Sequence, residues 1–201
     1  FGDNPSKLLV AAHYDVGEDS EFSSGHRAPF VQGANDNAAA VVELVMAAQA
    51  ILDSEENIDV RFAFFDHEEW FGSPDMGSAH YSQTVVAPDL AIILDVTGIG
   101  NLYWSTTQTY LPESWQKDLL VDLPCRTTPP SDSLNFIRKG IPVVLLGCLP
   151  ESSFALKSPP EWSWLHTELD SEDTVNPETL ETVSRFVVDL VRRSQKSILR
   201  D

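Results

Sequence analysis

Three short apolar runs in this chain each end in side chains able to hold a metal ion, and that coincidence restricts the fold more than any other feature. Leu8-Leu9-Val10-Ala11-Ala12 leads into His13-Tyr14-Asp15, Ile58 to Phe65 into Asp66-His67-Glu68-Glu69, and Leu90-Ala91-Ile92-Ile93-Leu94 into Asp95. Apolar, β-branched and aromatic runs of this length read as buried strands. Segments of helical period separate them. From Ala38 to Leu52 the positions Val41, Leu44, Val45, Ala48, Ile51 and Leu52 repeat at helical spacing, and Asn35 or Asp36 is expected to cap that helix. Shorter helices are expected over Met76 to Val85 and Glu113 to Asp122, and a strand over Ile141 to Leu146. Asn176-Pro177-Glu178 opens a long final helix with Leu180, Val183, Val187, Leu190 and Val191 on its apolar face.

Strands alternating with helices imply an α/β fold: a three-layer sandwich with a mostly parallel, mixed central sheet flanked by helices. The 201 residues fit one domain, 1–201, and 42% hydrophobic residues suffice for a sizeable core. Val16 to Asn35 reads as a long loop. In open sheets of this kind ligands bind outside the carboxyl ends of the strands. His13, Glu68, Glu69 and Asp95 stand at those ends.

Each candidate has a functional and a plainer reading. His13 and Asp15 project to the same side of an extended segment, so one can bind a metal while the other fixes the imidazole tautomer. Asp36, in Gly33-Ala34-Asn35-Asp36-Asn37, is either a helix cap or a carboxylate whose two oxygens each hold a cation. Glu68 and Glu69 repel each other, so the fold must separate their roles. One can coordinate a metal while its neighbour acts as general base; the alternative is a solvated acidic turn. Asp95 follows a strongly apolar run, where an unpartnered carboxylate is costly. His166, in Trp164-Leu165-His166-Thr167, completes a His, Asp, Glu, Asp, His set. Imidazoles mixed with carboxylates suit zinc, with manganese or cobalt as substitutes. His67-Glu68 is not the start of a His-Glu-x-x-His motif, because Phe71 stands where the second His belongs. There is no Gly-x-Ser-x-Gly elbow, Walker loop or dinucleotide fingerprint.

Composition narrows the partners. Thirteen basic against 31 acidic residues give a formal charge of −18, which argues against nucleic acid and against anionic membrane surfaces. No apolar run reaches the roughly 18 residues of a membrane span, and no secretory signal opens the sequence. Cys125 and Cys148 are too few for a disulfide framework or a cysteine-rich zinc site, and leave open one disulfide or two buried thiols.

The chain resembles the co-catalytic zinc aminopeptidases, a family that also contains the animal glutaminyl cyclases. The resemblance rests on Ala12-His13-Tyr14-Asp15, on Gly33 to Asn37, on Phe64 to Ser73 around Glu68 and Glu69, and on Ile93 to Gly98 around Asp95. Ser131 to Leu146 and Leu165 to Asn176 complete it, so it spans nearly the whole chain. It implies a zinc-exopeptidase fold, peptide substrates and two zinc ions, or one in a cyclase-like enzyme. In that pattern Asp36 bridges both ions, Glu69 and His166 complete one site, and His13 and Asp95 the other. Glu68 is the general base and Asp15 orients His13. Relatives are often exported, which leans the expected location toward secretion or a periplasm.

The sequence also departs from the pattern. Relatives carry more chain before the first strand, so either an N-terminal segment is missing or the chain is a compact variant. Ser133 replaces the His that often follows Asp132, and Asn37 and His67 replace commoner residues. An aminopeptidase uses all five ligand positions plus Glu68. A glutaminyl cyclase would use the same scaffold; Asp132 and Arg138 to Pro142 resemble that branch. Trp70, Trp162 and Trp164 are candidates for its aromatic pocket, packing being the plainer reading. Asp132, Trp70 and Trp164 are thus the candidate substrate residues, and Trp104, Tyr110 and Phe154 are further candidates for an apolar pocket. A non-catalytic interaction domain is the third reading, though such relatives lose ligands and none is lost here.

Overall fold

The computed structural model describes residues 8–17, 31–54, 56–70, 72–120 and 122–198. Among the described residues six strands form one sheet: β1 (Leu8–His13), β2 (Val60–Phe65), β3 (Leu90–Leu94), β4 (Asn101–Ser105), β5 (Cys125–Arg126) and β6 (Val143–Leu149). Their order is β2-β1-β3-β6-β4-β5. The pairs β1/β2, β1/β3, β3/β6 and β4/β5 are parallel, and β4/β6 is antiparallel. The sheet is therefore mixed, as expected.

Alternation along the strands sorts side chains between two cores. Leu8, Val10, Ala12, Leu90, Ile92 and Leu94 face α1 (Ala39–Asp53) and α5 (Pro177–Ile198), where Leu44, Ala47, Val187 and Leu190 meet them. Leu9, Ala11, Ala91, Ile93, Val143 and Leu145 face the other way, toward Phe136 of α4 (Ser133–Ile137) and Tyr81 of α2 (Gly77–Thr84). The remaining helix, α3 (Glu113–Leu120), buries Leu119 and Leu120 in the α1/α5 core. Helices thus cover both faces, and the three-layer α/β sandwich stands. Among the described residues no helix is long and apolar enough to cross a membrane.

Several expectations need correction. Neither Asn35 nor Asp36 caps α1: Ala38 occupies the cap position, with no side-chain cap bond. Both side chains instead belong to a tight turn over Ala34–Ala38. The second strand starts at Val60 rather than Ile58, and the sixth runs from Val143 to Leu149 rather than from Ile141. Strands β4 and β5 and helix α4 have no counterpart in the sequence reading. Residues 18–30 of the expected loop over Val16 to Asn35, and the opening residues, lie outside the described residues. Cys125 and Cys148 are free thiols, the first exposed and the second buried.

Candidate metal centre

Five segments converge beyond the carboxyl ends of β1, β2 and β3. The last residue of β1 is His13, buried, with Nε2 aimed at two carboxylates: 3.2 Å from Asp36 Oδ1 and 3.5 Å from Asp95 Oδ1. The other oxygen of Asp36 lies 3.4 Å from His166 Nε2, and Glu69 Oε2 lies 2.8 Å from the same nitrogen. Asp36 therefore faces one imidazole with each oxygen. The ligand-type atoms of His13, Asp36 and Asp95 lie within 4.8 Å of one another, and so do those of Asp36, Glu69 and His166, and of His13, Glu68 and Glu69.

Polar side chains that carry no ligand atom lock these segments together. Asp15 lies 3.4 Å from His13 Nδ1, and its two carboxylate oxygens accept the backbone N–H groups of Glu68 and Glu69. It ties the end of β1 to the turn after β2. Asn37 donates to the carbonyl of Leu94 and accepts from the N–H of Val96, gripping Asp95 from both sides. Asn35 accepts from the N–H of Gly98. Asp170, which the sequence reading did not single out, accepts the N–H groups of Asn35 and Asp36. Gly33 begins the Asp36 turn at φ 60°, and a Cβ there would stand 2.6 Å from the Asp36 carbonyl oxygen. Gly17 lies against the site: a Cβ there would meet Glu69 Oε2 at 3.0 Å and His166 Cδ2 at 3.2 Å.

Three non-glycine residues at the site take positive φ: His67 at 59°, Val96 at 56° and His166 at 61°. Such backbone, above all for a β-branched residue, costs about 1–3 kcal/mol each and clusters at functional sites.

The electrostatics follow from the crowding. Burial lowers the basicity of His13, but Asp15, Asp36 and Asp95 outweigh it and raise the pKa well above the ordinary imidazole value. Asp36 and Glu69 push His166 up to about 10. Burial opposes ionisation of Asp36, yet the two imidazoles hold its carboxyl far below the usual range. Glu68, buried and next to Asp95, is raised well above the ordinary carboxyl value, and Glu69 is raised by burial. Among the described residues no Lys or Arg ion pair reaches these carboxylates.

A divalent cation fits this donor set. His13 Nε2 and Glu69 Oε1 are buried and form no hydrogen bond despite their polar neighbours, as expected of lone pairs directed at a common point. The residues that could hold such ions are His13, Asp36 and Asp95 on one side, and Asp36, Glu69 and His166 on the other.

The candidate substrate residues are placed differently from one another. Asp132 is fully buried, and burial pushes its carboxyl up to about 7; it senses the charges of His13, Asp95 and Asp15. Trp70 is 66% exposed, its ring edge-on to His67 at 6.3 Å. Trp164 is half-buried, two residues before His166. Trp162 packs under the Arg126 guanidinium at 4.5 Å, with Phe154 and Tyr103 around the same cation. Trp104 packs against the α1/α5 core and not in a pocket at the site, because an inward position on β4 faces that layer. Tyr110 pairs through its backbone with Val143.

The chain is thus an α/β protein with imidazole and carboxylate side chains gathered at the carboxyl ends of its strands. The model for peptidase family M28 matches residues 2–191, and the chain belongs to that family. Comparison with curated protein sequences gave no significant match. Solved structures share the fold. The LapA aminopeptidase of Legionella pneumophila matches with a TM-score of 0.67 at 20% identity, over 94% of this chain and 51% of that one. BSAP, a zinc aminopeptidase from Bacillus subtilis, gives 0.67 at 21%, over 94% and 46%. The glutaminyl cyclase of Porphyromonas gingivalis gives 0.74 at 18%, over 96% and 74%. The chain spans about half the length of the aminopeptidases it matches.

Proposed function

We propose that residues 1–201 form one catalytic domain of a zinc-dependent aminopeptidase, hydrolysing the N-terminal peptide bond of peptides. The observation that carries this reading is Asp36, each of whose oxygens faces a different imidazole inside a group of ionisable donors. His13, Asp36 and Asp95 would hold one zinc ion, and Asp36, Glu69 and His166 a second. Bound there, zinc supplies Lewis acidity toward a carbonyl oxygen and the positive charge that the carboxylates otherwise lack. The chain's own groups do the rest. Asp15 holds His13 through Nδ1 and fixes the turn that presents Glu68. A carboxylate oxygen of Glu68 takes a proton from the attacking water and returns it to the nitrogen of the leaving amine. Water adds to the carbonyl carbon, the C–N bond breaks and Glu68 ends as it began. Burial and the neighbouring Asp95 raise its pKa well above the ordinary carboxyl value, which strengthens it as a proton acceptor. Trp70, exposed and next to Glu69 in the chain, would offer an aromatic surface to a substrate side chain, and Trp164, two residues before His166, would serve the same use.

A cyclase is the second reading, favoured by the larger share of the glutaminyl cyclase matched, 74% against 51% for LapA. Glu68 would then carry a proton from the substrate α-amine to departing ammonia, beside one zinc ion. The test is one zinc-loaded preparation given an aminoacyl arylamide and a Gln-initiated peptide. Arylamide hydrolysis that falls about 10²–10⁴-fold in Glu68→Gln, with zinc content unchanged, is expected. Pyroglutamate formation with intact arylamide would transfer the chain to the cyclase reading. Equal rates for Glu68→Gln and the unmodified protein would remove Glu68 as the base.

A further inference from the structure

We infer that Asp170 is a positioning residue that sets Asp36 in register with His166. The inference rests on the metal-centre reading above. Asp170 is 1% exposed, and its carboxylate is used up on backbone: Oδ1 accepts the N–H of Asn35 at 2.6 Å, and Oδ2 the N–H of Asp36 at 3.0 Å. The Asp170 carbonyl oxygen faces the N–H of Ala34 as well, at 3.5 Å. Three consecutive backbone donors of the Asp36 turn are thus oriented by one residue 134–136 positions away. A carboxylate accepting two backbone N–H groups is a strong, directional clamp.

The other end of the clamp is wound into the turn that carries His166. The N–H and the hydroxyl of Thr167 both donate to the carbonyl of Trp164, the N–H of Leu169 donates to the Thr167 hydroxyl, and the N–H of Asp170 donates to the Thr167 carbonyl. His166 and Asp170 therefore sit on one self-bonded turn. Wherever that turn goes, Asp170 carries the backbone of Asp36 with it, and the 3.4 Å approach of His166 Nε2 to Asp36 Oδ2 is preserved. The opposite side of the centre shares Asp36 but takes its other two ligands, His13 and Asp95, from segments held without this clamp. There, Asn37 grips the residues flanking Asp95, and Asp15 holds His13. Loss of Asp170 should therefore loosen the Asp36, Glu69 and His166 group more than the His13, Asp36 and Asp95 group, whose remaining ligands keep their own supports. Simple removal of a negative charge would weaken both alike.

Zinc titration by calorimetry tests this, with the cobalt visible spectrum as a second readout and circular dichroism to verify folding. The full chain is compared with Asp170→Asn, Asp170→Ala, the exposed neighbour Asp173→Asn, and His166→Ala, whose missing binding step identifies the ion concerned. Asp170→Asn keeps the shape but turns an N–H donor toward a backbone N–H, so it remains usable should Asp170→Ala not fold. The expected result is a binding constant weakened about 10–100-fold at the step missing in His166→Ala, with an altered cobalt spectrum. The other step, where present, is weakened less, and Asp173→Asn leaves both steps unchanged. Unaltered binding in Asp170→Asn, or equal weakening of both steps, overturns the inference and leaves the metal-centre reading intact. Absence of any divalent-ion binding by the unmodified chain overturns both.

Discussion

Glu43 offers the sharpest test of how this fold treats a buried carboxyl. It sits on the inner face of α1 with 0% exposure, one oxygen 2.6 Å from the Thr97 hydroxyl and the other without a partner. Burial drives its pKa up to about 9, against an ordinary value of 4.5, the Thr97 hydroxyl opposing only in part. The folded protein therefore keeps the Glu43 proton at neutral pH, whereas the unfolded chain releases it above pH 4.5. The unfolded state binds fewer protons throughout that window, so stability falls as pH rises from about 4.5 to about 9. The slope is about 1.4 kcal/mol per pH unit, or about 2.7 kcal/mol between pH 6 and pH 8. Below pH 4.5 both states are protonated and the effect vanishes. Glu43→Gln keeps the size and an acceptor for Thr97 but cannot ionise. Denaturant melts of both proteins in chelator at pH 6, 7 and 8 give the difference in unfolding free energy directly. Other titrating groups, Asp132 among them, cancel in that difference. The variant should gain on the unmodified protein by about 2–3 kcal/mol from pH 6 to pH 8. Parallel stability curves would show that Glu43 is ionised in the folded state and would refute the reasoning.

Three further outcomes follow from the same geometry. Leu146→Ala empties a fully buried position in the α1/α5 core and should lower stability by about 2–5 kcal/mol in denaturant melts, activity per folded molecule being unaffected. Zinc at about 100 times its dissociation constant should add about 2.7 kcal/mol to unfolding, reversed by chelator; an unshifted melt would deny a preformed site. Gly17→Val places a branched side chain against Glu69 and His166 and should weaken zinc binding at the step shared with His166→Ala, read by calorimetry, while the chelated protein melts within about 1 kcal/mol of the unmodified one.

The strand ends made half of this arrangement readable in advance. His13, Glu68, Glu69 and Asp95 follow apolar runs, and β-structure ends where the apolar run does, so their position at one sheet edge follows from hydropathy. Asp36 and His166 stand outside that logic. Their residue types within a set and the family resemblance of the segments around them suggested them, and the structure brings both to the same few ångströms. The net that holds them was invisible for a further reason. Asp170 and Asn37 act on backbone groups 134 and 57–59 positions away, and the sequence does not mark a partner at such separation. Asn35 and Asp36 misled as caps because the same short polar side chains serve helix starts and tight turns. Strand β5 has only two residues, and β4 mixes polar ends with an aromatic centre, so neither carries a periodic signal. Trp104 looked like pocket material because an isolated aromatic gives no clue to which face of its strand is buried.

Two treatments of buried acid coexist in this molecule, and their contrast says what the strand-end cluster is for. Behind the sheet, Glu43 stands alone and keeps its proton, the cheapest way to hide a carboxyl. At the strand ends Asp36, Glu68, Glu69 and Asp95 are crowded together, and two like charges about 4 Å apart repel by about 4 kcal/mol even at an effective dielectric constant of 20. Two imidazoles answer part of that charge. Among the described residues no Lys or Arg pair supplies the remainder, although Arg192 is free to bind Glu56 and Asp189 on the far side. The backbone is also bent against its preference at His67, Val96 and His166 to present these groups. A fold under no further demand would relieve such strain by relaxing the turns and separating the acids. Here Asp15, Asn35, Asn37 and Asp170 spend their hydrogen bonds preventing that relaxation, as a site that receives a divalent ion would require: the ion would supply the missing positive charge and take the place of the proton that burial favours on Glu69.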